Sequence, residues 1–305
     1  SMACNIRLYP HHIRTILTDH GFSDAGIYTG ELSFAEFGLR AIKNAYFAYY
    51  FGGMLRKAGC RIRPYERNSG ETDRVLDKAA KMVKDSFLGK RDKEKVLEEI
   101  VTRFQWIEME PGNRQKVAIF GDLYSRDNEV MNQGLVRFIE DHGGEVITTP
   151  YSEYAKMIAK PYFRKWFNEG QYLSVLSNSA ALATMKQMEK TYHALFNRIL
   201  EEPEHEYNEP VADILSRFNV APEHTGESMD NLLKVHYLKK HHPDLSLFVQ
   251  ASPALCCASL ITEAMRERIE EVTGVPVVSV TYDGTGGLKN EVIIPYLKFS
   301  RKEKG

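Results

Sequence analysis

Cys256 and Cys257 stand side by side in FVQASPALCCASLITEAM, between an apolar strand-like run and a helix that starts within two or three residues. That spacing puts two thiols at the C-terminal edge of a sheet, facing the start of a helix. Unpaired N–H groups and the positive end of the helix dipole favour a thiolate there. Thiolates suit iron–sulfur clusters, zinc and redox chemistry, and clusters usually take three or four of them. Adjacent cysteines do not easily give two ligands to one iron, and the pair is no zinc signature. The competing reading is that one or both are small buried core residues, as free cysteines usually are. Cys60 follows a Gly-terminated helix and opens an apolar strand, so packing is its first explanation. Cys4 precedes a helix start.

Two further segments follow apolar runs that read as strands. In TYDGTGGLKNEV, Asp283, Gly284, Thr285, Gly286 and Gly287 form either an anion-binding nest of backbone N–H groups or simply a tight turn. The segment lacks both the P-loop ending and the dinucleotide G-x-G-x-x-G. In GDLYSRDN, Asp122, Tyr124, Arg126 and Asp127 would lie on the ligand-binding edge of an α/β sheet. Asp127 or Asn128 would equally serve to cap the next helix. HTGESMDN, 224–231, reads as a helix start, with capping as its first explanation. His11–His12 and His241–His242 lack metal-ligand spacing and read as solvated surface. No HExxH, nucleophile elbow or Ser-His-Asp order is present.

The elements that must position these residues are two βαβ units. Lys116–Gly121 is a strand, about 128–141 a helix stopped by Gly143 and Gly144, and Glu145–Thr148 the next strand. Leu247–Ala251 and Pro276–Tyr282 flank a helix with Ile261, Met265, Ile269 and Val272 on one face, Ser259 at its N-cap and Gly274 past its end. Each unit implies a parallel sheet. About 151–246 carries no convincing strand and reads as a helical insertion over the ligand edge. IRTILTDHG is an expected helix, AGIYTG a short strand, about 34–57 a broken helix and CRIRPY an edge strand. Asp73–Glu108 is charge-rich and helical, and Pro111–Gly112 marks the domain boundary. The expected division is therefore 1–112, an N-terminal α/β domain with a long charged helix, and 113–305, a C-terminal Rossmann-like domain.

Composition narrows the function classes. At 305 residues, 43% hydrophobic and 27% charged, the chain has ample material for a buried core. A net charge of −1 gives no general attraction for nucleic acid or an anionic membrane. No apolar run approaches the roughly 18–20 residues of a spanning helix, so no membrane role is expected. Four cysteines are too few for a secreted disulfide framework, and a cytoplasmic location is the expectation. Ser1 ahead of Met2 reads as a cloning scar, with more natural chain expected upstream.

Taken together, HTGESMDNLLKVHYLKKHHPDLSLFVQASPALCCASLITEAM, IEEVTGVPVVSVTYDGTGGLKNEVIIPYL and GDLYSRDNEVMNQGLVRFIEDHGGEVITTPYSEYAKMI resemble the 2-hydroxyacyl-CoA dehydratase and activase-related superfamily. The chain is most similar in type to the C-terminal half of the large CoA-substrate-specific enzyme activase-related proteins, without their ATPase domain. The resemblance implies two Rossmann-like parallel-sheet α/β domains with a helical insertion. It also implies an iron–sulfur cluster, of 4Fe-4S type, fed with low-potential electrons for reduction of an acyl-CoA or similar substrate. Its implied partners are an ATPase activase domain or subunit, an acyl-CoA and a second copy of the chain in a homodimer. By position, Cys256, Cys257 and Cys4 match the superfamily's ligand cysteines, and the strand-end loops with Asp122, Tyr124, Asp127, Asp283, Gly284, Gly286 and Gly287 would line the cavity. Relatives commonly read Cys-Cys-Pro, where this chain has Ala258. A third matched cysteine is wanting unless Cys60 serves, so remaining ligands are expected from upstream sequence or another subunit. The alternative is a cluster-free acyl-CoA-binding or interaction module that docks an ATPase partner.

Overall fold

Side chains of successive strand residues point to opposite faces, and apolar residues fill both sets along the central strands, so both sheet faces must be covered. The computed structural model describes residues 8–27, 34–202, 204–224 and 226–299, apart from the side chains of 34–37 and 39. Four parallel strands form a sheet in the order β2-β1-β3-β4: β1 (Gln115–Gly121), β2 (Gly144–Ile147), β3 (Leu245–Pro253) and β4 (Val277–Tyr282). Val117 pairs with Val146 on one side and Leu247 on the other, and Val249 pairs with Val278.

Ala118, Phe120, Phe248 and Val277 face one core, built with α6 (Tyr151–Asn168), α8 (Val211–Arg217), α9 (Glu227–His241) and α11 (Arg266–Thr273). Phe120 and Phe248 meet there edge to face at 5.8 Å. Val117, Ile119, Val249 and Val280 face the other core, with α5 (Leu135–Asp141), α12 (Ile294–Lys298) and Cys60 of α2 (Phe34–Ile62). Helices on both faces of a parallel sheet make this an α/β fold, as the two βαβ units imply. The remaining helices are α1 (Tyr9–Asp19), α3 (Glu71–Phe87), α4 (Lys93–Gln105), α7 (Tyr172–Leu200) and α10 (Cys257–Ala264). The chain forms two compact units, Ser1–Ala48 and Tyr49–Gly305, and all the sites below lie in the second.

The helical stretch expected over 151–246 is present as α6 to α9. Several expectations need correcting. One sheet, not two, occurs among the described residues; those of 8–112 are helical or irregular, apart from an isolated bridge between Glu66 and Met109. CRIRPY closes α2 and passes into a short 3-10 turn, Arg63–Tyr65, because Met54, Ala58 and Ile62 bury at the four-residue spacing of a helix face. Of AGIYTG, 25–27 is irregular and 28–30 lies outside the described residues. The charged stretch breaks into α3 and α4 where the Asp92 side chain accepts from Lys95 N and caps a new helix. The helix expected from about 128 begins only at Leu135: Asn132 accepts from Leu135 N and donates back to Ser125 and Arg126 carbonyls, holding 128–134 as a knot of turns. The closing helix breaks at Met265, and its N-cap is Cys256 rather than Ser259, whose buried hydroxyl has no hydrogen-bond partner among the described residues.

Candidate functional site at the carboxyl edge of the sheet

β1 has β2 on one side and β3 on the other, so the chain reverses direction across the sheet between β1 and β3. In open α/β sheets, ligands bind in the crevice beyond the carboxyl ends of the strands at such a point. Gly121 ends β1 there with φ 106°, and a Cβ at this position would lie 2.4 Å from Ala251 O, so only glycine fits. The cleft just beyond is lined by Asp122 and Leu123 after β1, Tyr154 of α6, Glu227, Asp230 and Asn231 of α9, and Ala258 and Ser259 of α10.

Asp230 is its most perturbed carboxyl. Its carboxyl is buried and accepts from Tyr154 Oη at 2.7 Å, while Oδ1 has no hydrogen-bond partner among the described residues. Burial pushes it up to about 6, against the lowering effect of Tyr154 and Lys234. Burial also raises Glu227, with the Asp122 charge adding to the effect. HTGESMDN therefore does more than start a helix: its first turn turns two carboxyls and an amide toward the crevice. The clue in the sequence was the clustering of Glu227, Asp230 and Asn231 immediately ahead of Leu232 and Leu233.

Behind this cleft two cations are buried: Arg126, whose Nε has Asp127 Oδ2 at 3.6 Å, and Lys234, which has no ion pair among the described residues. Arg126 is 2% exposed; Nη2 donates to Thr149 O at 3.0 Å, and Nε and Nη1 make no hydrogen bond among the described residues. Lys234 is 1% exposed and has no hydrogen bond or ion pair among the described residues; its ammonium lies 5.1 Å from the Tyr154 ring centre. Burial, then the Arg126 charge, depresses Lys234 strongly.

The thiols lie on the rim of the same crevice. Cys257 is exposed and Cys256 partly so. Cys256 occupies the N-cap of α10 in extended conformation and makes no side-chain capping bond. Leu255, just before it, has φ 63°, a left-handed conformation that costs a bulky residue about 1–3 kcal/mol and is often retained where a loop serves a function. Cys60 is elsewhere, wholly buried in the core beneath the sheet, where burial pushes its thiol up to about 12. It is packing, as its apolar surroundings suggested. Cys4 lies outside the described residues.

Asp122 lines the crevice, but its Oδ1 is engaged by Ser125 N at 2.7 Å and Tyr124 N at 3.1 Å. The Tyr124 side chain is exposed, and Asp127 pairs with Arg56 at 2.9 Å. Asn128 caps only a turn, accepting from Met131 N. Asp283 accepts from Thr285 N and Oγ1 and pairs with Lys289 at 3.1 Å, which holds it down at about 2. Gly284, Gly286 and Gly287 are exposed with open space around them, and Gly284 and Gly287 have positive φ. Gln133 ties this loop to the one after β1, donating to Gly287 O at 3.0 Å and accepting from Lys289 N at 2.7 Å.

A second buried polar cluster lies beside β2. Lys57 Nζ is 3.1 Å from Glu153 and 3.2 Å from Glu202. Burial by itself would lower Lys57, but the two carboxylates reverse that and raise it. Glu153 is correspondingly held far below the carboxylate range despite its burial, by Lys57 and His205. His241 and His242, expected at the surface, line this cluster, and burial brings both down to about 4.

A cluster of 4Fe-4S type takes three or four thiolates. The described residues bring two sulfurs to the rim and keep a third in the core, so they fit part of such a ligand set. No protein-family model matches the chain, and neither a curated protein nor a solved structure matches it. Among the described residues, no helix is long and apolar enough to cross a membrane.

Proposed function

We propose that the protein is a redox component of the dehydratase and activase-related type, in which Cys256 and Cys257 are thiolate ligands of an iron–sulfur cluster on the crevice rim. What carries the reading is the placing of both thiols, accessible, at the uncapped start of α10 beside the β1/β3 crevice. Completion requires sulfur from beyond the described residues, for which Cys4 or a second subunit is the candidate. A bound cluster would supply low-potential one-electron transfer to an acyl-CoA, fed by an ATPase partner in the cytoplasm. The chain's own contribution is the N–H groups at the start of α10, which would hydrogen-bond cluster sulfur, and the polar crevice that would hold the substrate. Anaerobic reconstitution should yield iron and sulfide in equal amounts and a brown protein, lost in Cys256→Ser and Cys257→Ser. A full-length protein that stays colourless and iron-free under those conditions rules the reading out.

A second reading rests on Arg126 and Lys234. Lys234, buried with no ion pair among the described residues, beside Arg126, whose one carboxylate there is Asp127 at 3.6 Å, favours an anionic group, such as the carboxylate or phosphate of an acyl-CoA-type ligand, in a cluster-free binding module. Under this reading Cys256→Ser and Cys257→Ser leave acyl-CoA affinity unchanged, whereas Lys234→Met weakens it at least tenfold. Acyl-CoA binding measured by calorimetry separates the two.

A further inference from the structure

The loop between α7 and α8 brings Glu202 and His205 against His242, the C-cap of α9 in the short link to β3. Their ligand atoms, one from each side chain, lie within 4.8 Å of one another. His205 Nε2 is 3.9 Å from Glu202 Oε2, and His242 Nδ1 is 3.8 Å from Glu202 Oε1. Those separations are too long for hydrogen bonds. Ligands held roughly 2.0–2.1 Å from one zinc ion are about 3.4 Å apart, so a small inward movement would seat a cation among the three. The two imidazoles are 10% and 5% exposed, and neither makes a hydrogen bond within 3.5 Å among the described residues.

Two features around the trio belong to a metal centre more than to a bare polar cluster. The other nitrogen of His205, Nδ1, faces Glu153 Oε2 at 3.7 Å, the outer carboxylate that commonly orients a ligating imidazole. The His241 ring, stacked on His205 at 4.0 Å and 14° between planes, fixes its orientation. Glu153 and Glu202 share the single ammonium of Lys57, and next to them Glu189 and Glu204 share that of Lys156. Lys57 approaches Glu202 at 3.2 Å and holds the carboxylate in place.

We propose that Glu202, His205 and His242 form a site for a borderline divalent cation of the zinc class, which staples the α7–α8 loop to the amino end of β3. Two imidazoles and one carboxylate suit zinc or cobalt in preference to calcium or magnesium, which take oxygen ligands. The site is independent of the thiols, which sit at the opposite end of β3.

The test uses full-length Cys256→Ser/Cys257→Ser protein, stripped with a chelator, so that rim sulfur cannot bind the probe. Zinc titrated by calorimetry should bind at a single equivalent and raise Tm. Cobalt should give visible bands of a four- or five-coordinate site without a thiolate charge-transfer band. His205→Gln and His242→Gln should abolish binding, and Glu153→Gln should weaken it roughly 10–100-fold. No saturable zinc binding by the double-serine protein overturns the proposal, as does binding that His242→Gln leaves intact. Should the glutamine variants not fold, X-ray absorption of the zinc-loaded double-serine protein decides: imidazole scattering in the first shell supports the site, and its absence overturns it.

Discussion

Lys57 and Lys234 are both buried lysines, yet they behave in opposite ways. Lys57 has Glu153 and Glu202 within about 3 Å and is raised; Lys234 is depressed by burial and, next, by the Arg126 charge. Burial penalises both ammonium groups, so the neighbours decide the sign. The contrast separates a lysine whose charge the fold pairs from one whose charge it leaves without an ion pair among the described residues. Unmatched buried charge is expected where a ligand is to be bound; Lys234 lines the same cavity as Lys57 and reaches toward Tyr154 at the crevice.

The sharpest way to break the comparison is the same substitution at both positions. Lys57→Met leaves two buried carboxylates facing each other and should cost about 3–5 kcal/mol in urea unfolding. A loss under about 1 kcal/mol would mean that Glu153 and Glu202 are solvated or protonated. Next in size is the pH dependence of Asp230. Its folded pKa of about 6 exceeds the ordinary 3.8, so the folded protein holds this proton more tightly than the unfolded chain. Its contribution is therefore most favourable below about pH 4, and stability declines as pH rises to about 6, by about 3 kcal/mol in all. Asp230→Asn should remove that part of the slope; an unchanged stability–pH curve between those limits refutes the assignment. Lys234→Met should go the other way from Lys57→Met, leaving stability unchanged or raising it by about 1–3 kcal/mol. Destabilisation there would show that Lys234 already has a partner. At the bottom of the scale is the exposed pair Arg67 and Glu108, 2.9 Å apart. Arg67→Ala should shift stability by less than about 0.5 kcal/mol, since water screens both ends.

Much of the sheet was legible because its signals are local. The β1, β3 and β4 runs are short, apolar and β-branched, and Gly274 stops α11 in the left-handed conformation expected of it. The thiol rim was legible for the same reason, since strand, turn and helix start are adjacent in sequence. What could not be read depended on tertiary context. Cys60 looked like the head of a strand because CRIRPY alternates, yet packing against Val117 and Ile139 keeps it helical. The start of α5 was missed because Asn132 satisfies backbone groups on both sides of itself, which no apolar period reveals. His241–His242 looked solvated because its companions, Glu202 and His205, come from a loop on the far side of α8 and α9. In sequence Asp230 and Asn231 look like helix-start residues, and only the approach of α6 and α10 makes them crevice walls.

One amide has a reach out of proportion to its size. Through both ends of its side chain, Gln133 clasps the glycine loop after β4 to the turns after β1. The two outer banks of the rim are thereby yoked across the strand between them, so a disturbance on one bank is handed to the other.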